Sequence, residues 1–148
     1  MTELIAHLSL LGTAFLAATI LPGSSEAMLA ALLILYPASA ITLFLTATIG
    51  NTAGALANWF LGRGLMRFAG ARWFPASTEH IRRAAAFFGR YGSWPLLFSW
   101  LPIIGDPLTV AAGALGIRLP LFLPLVAVGK AARYALIVFG VDLLRPGP

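Results

Sequence analysis

Leu101-Pro102-Ile103-Ile104-Gly105-Asp106-Pro107 is a charged turn, bracketed by prolines, inside an apolar run. Eighty residues earlier the chain reads Leu21-Pro22-Gly23-Ser24-Ser25-Glu26, again Leu-Pro, three residues and an acid. Each turn follows an apolar segment and precedes a short apolar segment and then a long one. The long block 39–61 maps without a gap onto 119–141. The pattern predicts two copies of one membrane unit, with the acidic turns facing each other across a central site.

Composition agrees with that reading. Of the 148 residues 59% are hydrophobic and 10% charged, with a mean hydropathy of +0.89. A typical globular domain carries about 25% charged residues. A soluble domain of this size could not bury so much apolar surface, so residues 1–148 are expected to form a single all-α integral membrane domain. Met1-Thr2-Glu3 lacks a basic n-region and no A-x-A-like site follows the first apolar stretch, so no cleaved signal peptide is expected. The chain has no cysteine, which excludes disulfides, thiolate metal sites and cysteine nucleophiles. Its net charge of +5 would suggest nucleic acid in a soluble protein. Here Arg63, Arg67, Arg72, Arg82, Arg83 and Arg90 lie between hydrophobic blocks, the positive-inside signal. The 63–91 loop is therefore expected in the cytoplasm, and nucleic-acid binding is rejected.

Residues 4–20 are apolar, at the short limit for a span. Pro22-Gly23-Ser24-Ser25 breaks the helix, and Ala27–Tyr36 would reach about 15 Å, half a hydrocarbon core. A re-entrant hairpin over 4–36 fits, provided its tip is buried in protein or faces water. The span 39–61 completes repeat one, 4–62. Its Thr46, Gly50, Gly54 and Asn58 recur on one face, with Asn51 beside them. The glycines read as close helix packing; the asparagines are candidates to line a cavity. In the loop, Ser77 and Glu79 suit a helix start, and Ile81, Ala84, Ala85 and Phe88 form an apolar stripe on a basic helix that would lie in the interface. Repeat two, 92–143, follows the same plan with hairpin 92–117 and span 119–141. With the loop inside, the hairpins enter from opposite sides, giving two inverted repeats. The competing topology makes 4–20 a true span.

The last span holds Lys130, Arg133 and Tyr134 at i, i+3 and i+4, on one face near its midpoint. A basic residue at a helix centre costs roughly 2.5–3.5 kcal/mol even on the lenient insertion scale. Glu26 and Asp106 supply two acids to match the two cations. These four residues are expected to form a buried polar cluster between the hairpin tips and the final span. The bland alternative is that they are ion pairs holding the hairpins to the bundle. Gly105-Asp106-Pro107 also reads as a helix start, with Asp106 as N-cap and Pro107 at the first helical position. Ser24 or Ser25 with Glu26 would cap the other returning arm. Two half-helix N-termini beside Lys130 and Arg133 suit an anionic headgroup such as a phosphate, while the acids could instead take a proton. His7 and His80 have no ligand spacing to another His or acid, and no nucleophile, phosphate-loop or zinc motif occurs. No enzyme, cofactor or metal is expected.

Pro22-Gly23-Ser24-Ser25-Glu26, Gly50-Asn51-Thr52-Ala53-Gly54 running to Leu61-Gly62-Arg63, Arg90-Tyr91-Gly92 and the 99–113 stretch together resemble the DedA family. That family is also called the SNARE-associated or VTT-domain family, and the chain resembles its short, YqaA-like branch over roughly 10–143. The resemblance implies two opposed re-entrant hairpins with spanning helices, a bacterial inner-membrane location and a role in lipid movement. It also implies possible links to the proton motive force. Glu26 matches the family's first-hairpin acid, and Arg63 the Gly-Arg that ends the first long span. The second hairpin departs from the pattern. Many members carry two arginines around its Phe-x-Pro turn, where this chain has Ser99 before Pro102 and Gly105-Asp106 after it. Undecaprenyl phosphate therefore does not transfer directly as the substrate.

The expectation is a protein that moves or scrambles an anionic lipid, such as a polyprenyl phosphate or phospholipid. Phosphate would sit near Lys130 and Arg133, Glu26 and Asp106 would pair or couple to protons, and Asn51 and Ser99 would add hydrogen bonds. The alternatives are a non-transporting membrane scaffold and a proton-coupled exporter of small cations. The partners expected are membrane lipid and protons, with a homodimer compatible with so thin a bundle.

Overall fold

A computed structural model describes residues 2–19, 24–66, 78–101 and 104–144, with the backbone alone over 78–81. Every described element is helical. In order they are α1 (Thr2–Ala17), α2 (Ser24–Leu35), a 3-10 turn (Pro37–Ser39), α3 (Ala40–Leu65), α4 (Thr78–Tyr91), a 3-10 helix (Trp94–Trp100), α5 (Gly105–Ala114) and α6 (Leu119–Leu143). Among the described residues two helical stretches are long and apolar enough to cross a membrane, Pro37–Leu65 and Leu119–Leu143. The turns carrying Pro22 and Pro102, and the expected cap Ser77, lie outside the described residues, as do the side chains of Glu79, His80 and Ile81.

The helices stop where the backbone can turn. After α5 the chain closes a Schellman motif: Gly116 donates to Gly113 O at 3.0 Å and Ile117 to Ala112 O at 3.0 Å. That motif needs a left-handed residue, and Gly116 supplies it with φ of +70°. Gly92, at φ +61°, does the same after α4. The segment expected as a short arm at 92–100 is a seven-residue 3-10 helix, whereas its counterpart α1 has 16 residues of α-helix. The two halves are thus unequal at their first element. Otherwise an offset of eighty carries the starts of α2 and α3 to within one residue of the starts of α5 and α6.

Apolar side chains form two clusters. One gathers Leu10, Leu29, Leu33, Leu43, Ala47 and Tyr134 from α1, α2, the first half of α3 and the second half of α6. The other gathers Ala55, Trp59, Phe88, Leu96, Ala112, Phe122 and Val126 from the second half of α3, α4, the 3-10 helix, α5 and the first half of α6. The first half of α3 therefore lies with the second half of α6, so these two spans run antiparallel. α3 packs on α1, α5 and α6, and α6 packs on the 3-10 helix, α2 and α3.

Where helices cross, a glycine faces a carbonyl. A Cβ on Gly50 or Gly54 would strike the Leu11 or Phe15 carbonyl oxygen of α1. One on Gly62 would strike the Val110 carbonyl, and one on Gly113 the Trp59 carbonyl. Gly129 stands in the same way against Leu97 and Gly105 against Ser99. Small residues allow this approach, and packing rather than water exclusion holds helices together in lipid. The Gly50 and Gly54 pair is thus a contact surface for α1, as its spacing suggested.

Candidate functional site

α6 carries the site at its middle. One turn of helix puts Lys130, Arg133 and Tyr134 on the face that meets the first residues of α2 and α5. Lys130 is only 3% exposed and Tyr134 1%. The Lys130 ammonium lies 3.8 Å from Asp106 Oδ1, at the start of α5. Arg133 forms an ion pair with Glu26, at the start of α2, and donates to the Trp100 carbonyl at 2.7 Å. Each cation on α6 therefore meets the acid of a different short helix. The acids also sit at helix N-termini, where negative charge is favoured by the unsatisfied N–H groups.

Asp106 does not act as the helix cap expected for it. α5 begins at Gly105, with Ile104 as its N-cap and no side-chain capping bond. The reason is that the Leu101 carbonyl already takes the Gly105 N–H at 2.9 Å, so the backbone enters the helix two residues early. Asp106 is the second helical residue and Pro107 the third, which leaves the carboxylate to face Lys130. α2 likewise includes Ser24 and Ser25 within the helix. The Ser25 hydroxyl is spent on Tyr134, not on a cap.

A second, uncharged layer lies beside the charged one. Tyr134 OH is 2.8 Å from Ser25 Oγ, and Asn51 Nδ2 donates to it at 3.0 Å. One phenol oxygen thus joins α2, α3 and α6. Asn51 Oδ1, Thr52 Oγ1 and Ser99 Oγ are buried with no hydrogen-bond partner among the described residues. An uncompensated buried polar atom is costly, so these three atoms mark where the interior retains capacity for a polar group.

Thr109 and Trp59 were not singled out by the sequence. Asn58 Nδ2 donates to the Ala18 carbonyl at 2.7 Å and to Thr109 Oγ1 at 3.3 Å. Thr109 in turn donates to the Asp106 carbonyl at 2.8 Å. Its position three residues after Asp106, alone among apolar neighbours, was the available signal. Trp59 donates its indole N–H to the Ile117 carbonyl at 3.0 Å, and Arg63 stacks over its ring at 5.3 Å. Arg63 is therefore remote from Lys130 and Arg133, at the end of α3 beside the α5–α6 turn. Ser24 is an exposed residue of α2. Among the described residues no cluster of three potential metal ligands occurs.

The VTT domain family model matches residues 21–143. The inner membrane protein YqaA of Escherichia coli (strain K12) is 38% identical over 134 residues, 90% of this chain and 89% of that protein. The protein of the same name from Shigella flexneri matches with the same figures. An uncharacterized protein of Haemophilus influenzae is 33% identical over 136 residues, 86% of this chain and 82% of that one. No solved structure matches the chain.

Proposed function

The chain belongs to the VTT-domain family, the DedA family of membrane proteins, and from that premise we propose that it moves or scrambles an anionic lipid across the bacterial inner membrane. One observation carries the reading: two cations at the middle of a spanning helix, each held by an acid that begins a separate short helix. Intramembrane charges are costly and characteristically line pathways for substrates or ions. In this reading α2 and α5 are the returning arms of two re-entrant hairpins. Their lengths of 12 and 10 residues correspond to about 18 and 15 Å, short of a full crossing. The antiparallel α3 and α6 complete two inverted repeats, and the 63–91 loop faces the cytoplasm.

The chemistry follows from the pairing. A phosphate headgroup competes with Asp106 for Lys130 and with Glu26 for Arg133, and a proton taken by either acid frees its cation for the anion. Asn51 and Ser99, each with a buried unpartnered oxygen, would serve the headgroup's hydroxyl or water donors. No catalytic step is part of this proposal.

The test is leaflet exchange in liposomes of purified protein, using fluorescent lipids that include a polyprenyl phosphate, with and without a pH gradient. Wild type is expected to exchange at least one anionic lipid above empty liposomes. Lys130→Ala and Glu26→Gln should abolish exchange while the protein still elutes and melts as the wild type does. Absence of exchange for every lipid would defeat the reading. It would favour a scaffold, for which the buried Ser25–Tyr134–Asn51 junction is the supporting observation. In that case Glu26→Gln should lower stability and abundance instead.

A further inference from the structure

From Asp106 toward the end of α3, a groove of about 520 Å³ lies mainly between α3 and α5, and its walls include Leu61, Leu65, Val110 and Leu115. That volume lies within the roughly 300–1,000 Å³ of typical small-molecule sites. One end is closed by Asn58 and Asp106. At the other end Met66 and Ala114 also line a second hollow that contains Arg63 and Phe60.

The two ends differ in what they accept. At the Asn58 end both amide hydrogens are already donated, to Ala18 and Thr109, and the Asp106 carboxylate repels an anion. At the Arg63 end an exposed guanidinium lies with one face on the Trp59 ring. Trp59 is fixed by its bond to Ile117, so Arg63 lies beside a rigid support. Neither ion pair described above uses Arg63. Arg118, also exposed, is the N-cap of α6 two residues past Gly116, beside which the Arg63 guanidinium lies. A basic residue at the end of a spanning helix sits at headgroup depth, and an arginine edge matches a phosphate in two parallel bonds.

We propose that this groove is a lipid-binding site: the phosphate of a membrane lipid sits on Arg63, and the first length of its hydrocarbon chain lies between α3 and α5. From Arg63 to Asn58 is about 7.5 Å along the helix. The groove therefore grips only the part of the chain next to the headgroup, and the remainder leaves past exposed Leu61 into the bilayer. The ligand class is that of the function proposed above, and the inference rests on that reading for nothing else; a bound lipid here needs no movement across the membrane.

Native mass spectrometry of the full chain in detergent micelles tests it. The probes are 1-oleoyl lysophosphatidic acid and its phosphate-free counterpart, monoolein. Wild type should retain one lysophosphatidate and bind monoolein on the order of tenfold more weakly, the scale of one charge-assisted pair. Arg63→Gln, at an exposed position, should bring lysophosphatidate down to the monoolein level. Val110→Trp, which fills the groove, should weaken both. A wild-type elution volume in size-exclusion chromatography certifies the fold of each variant; if Val110→Trp misfolds, Arg63→Gln alone decides. Equal retention of the two probes by wild type, or full lysophosphatidate retention by Arg63→Gln, overturns the proposal. So does displacement of the lipid by an equal concentration of inorganic phosphate. Arg63-dependent binding in a protein that exchanges no lipid leaves this site standing and removes the transport reading.

Discussion

Tyr134 ties three helices together through one oxygen. Its hydroxyl is the sole described link among Ser25 of α2, Asn51 of α3 and α6 itself. Tyr134→Phe keeps the buried ring but strands both neighbours, a loss of about 1–3 kcal/mol for groups left unsatisfied. Thermal unfolding in micelles should show a lower Tm, and the double variant with Asn51→Leu should lose less than the two singles add up to. Additive losses would mean the bond does not matter. The i, i+3, i+4 spacing made Lys130, Arg133 and Tyr134 legible as one face, and the equal number of acids made pairing legible too. Which acid meets which cation was not, because Glu26 and Arg133 are brought together only by the packing of α2 on α6. Asn51 was expected to line a cavity, and half of its amide is instead tied to the phenol.

At the scale of elements, glycine facing carbonyl is the recurring joint. Gly113→Val should drive a branched side chain into the Trp59 carbonyl on α3. Backbone cannot yield as a side-chain tip can, so the cost should reach or exceed the ~1–3 kcal/mol of ordinary overpacking. The readout is loss of a single symmetric peak in size-exclusion chromatography. Gly89→Ala on α4, where a Cβ meets open space, should elute unchanged. The Gly50-x-x-x-Gly54 spacing announced this packing for α1 and α3. Gly62 and Gly113 gave no such notice, since neither has a glycine four residues away and the partner of each is a distant carbonyl. The misread start of α5 has the same origin: Gly-Asp-Pro is a sound capping sequence, but the Leu101 carbonyl satisfied the helix first.

Over the whole molecule, the antiparallel spans set a topology that chemistry can read directly, because the chain has no cysteine of its own. Single cysteines at Gly64 and Arg118 should be labelled by an impermeant maleimide from the same face of the membrane in right-side-out and inverted vesicles. A cysteine at Ser39 should label from the opposite face. Gly64 and Arg118 reporting different faces would refute the arrangement. The sequence repeats Leu-Pro, three residues and an acid at the starts of α2 and α5. That an α-helix precedes one and a 3-10 helix the other was not legible, because both preceding segments are merely short and apolar. The two ion pairs bear on this unit as a mechanical linkage. Lys130 and Arg133 belong to one helical turn, so a rotation of α6 about its axis acts on both ion pairs at once. The two short helices are thereby geared to each other through α6, and whatever effect releasing one pair has on the other is matched by the reverse effect.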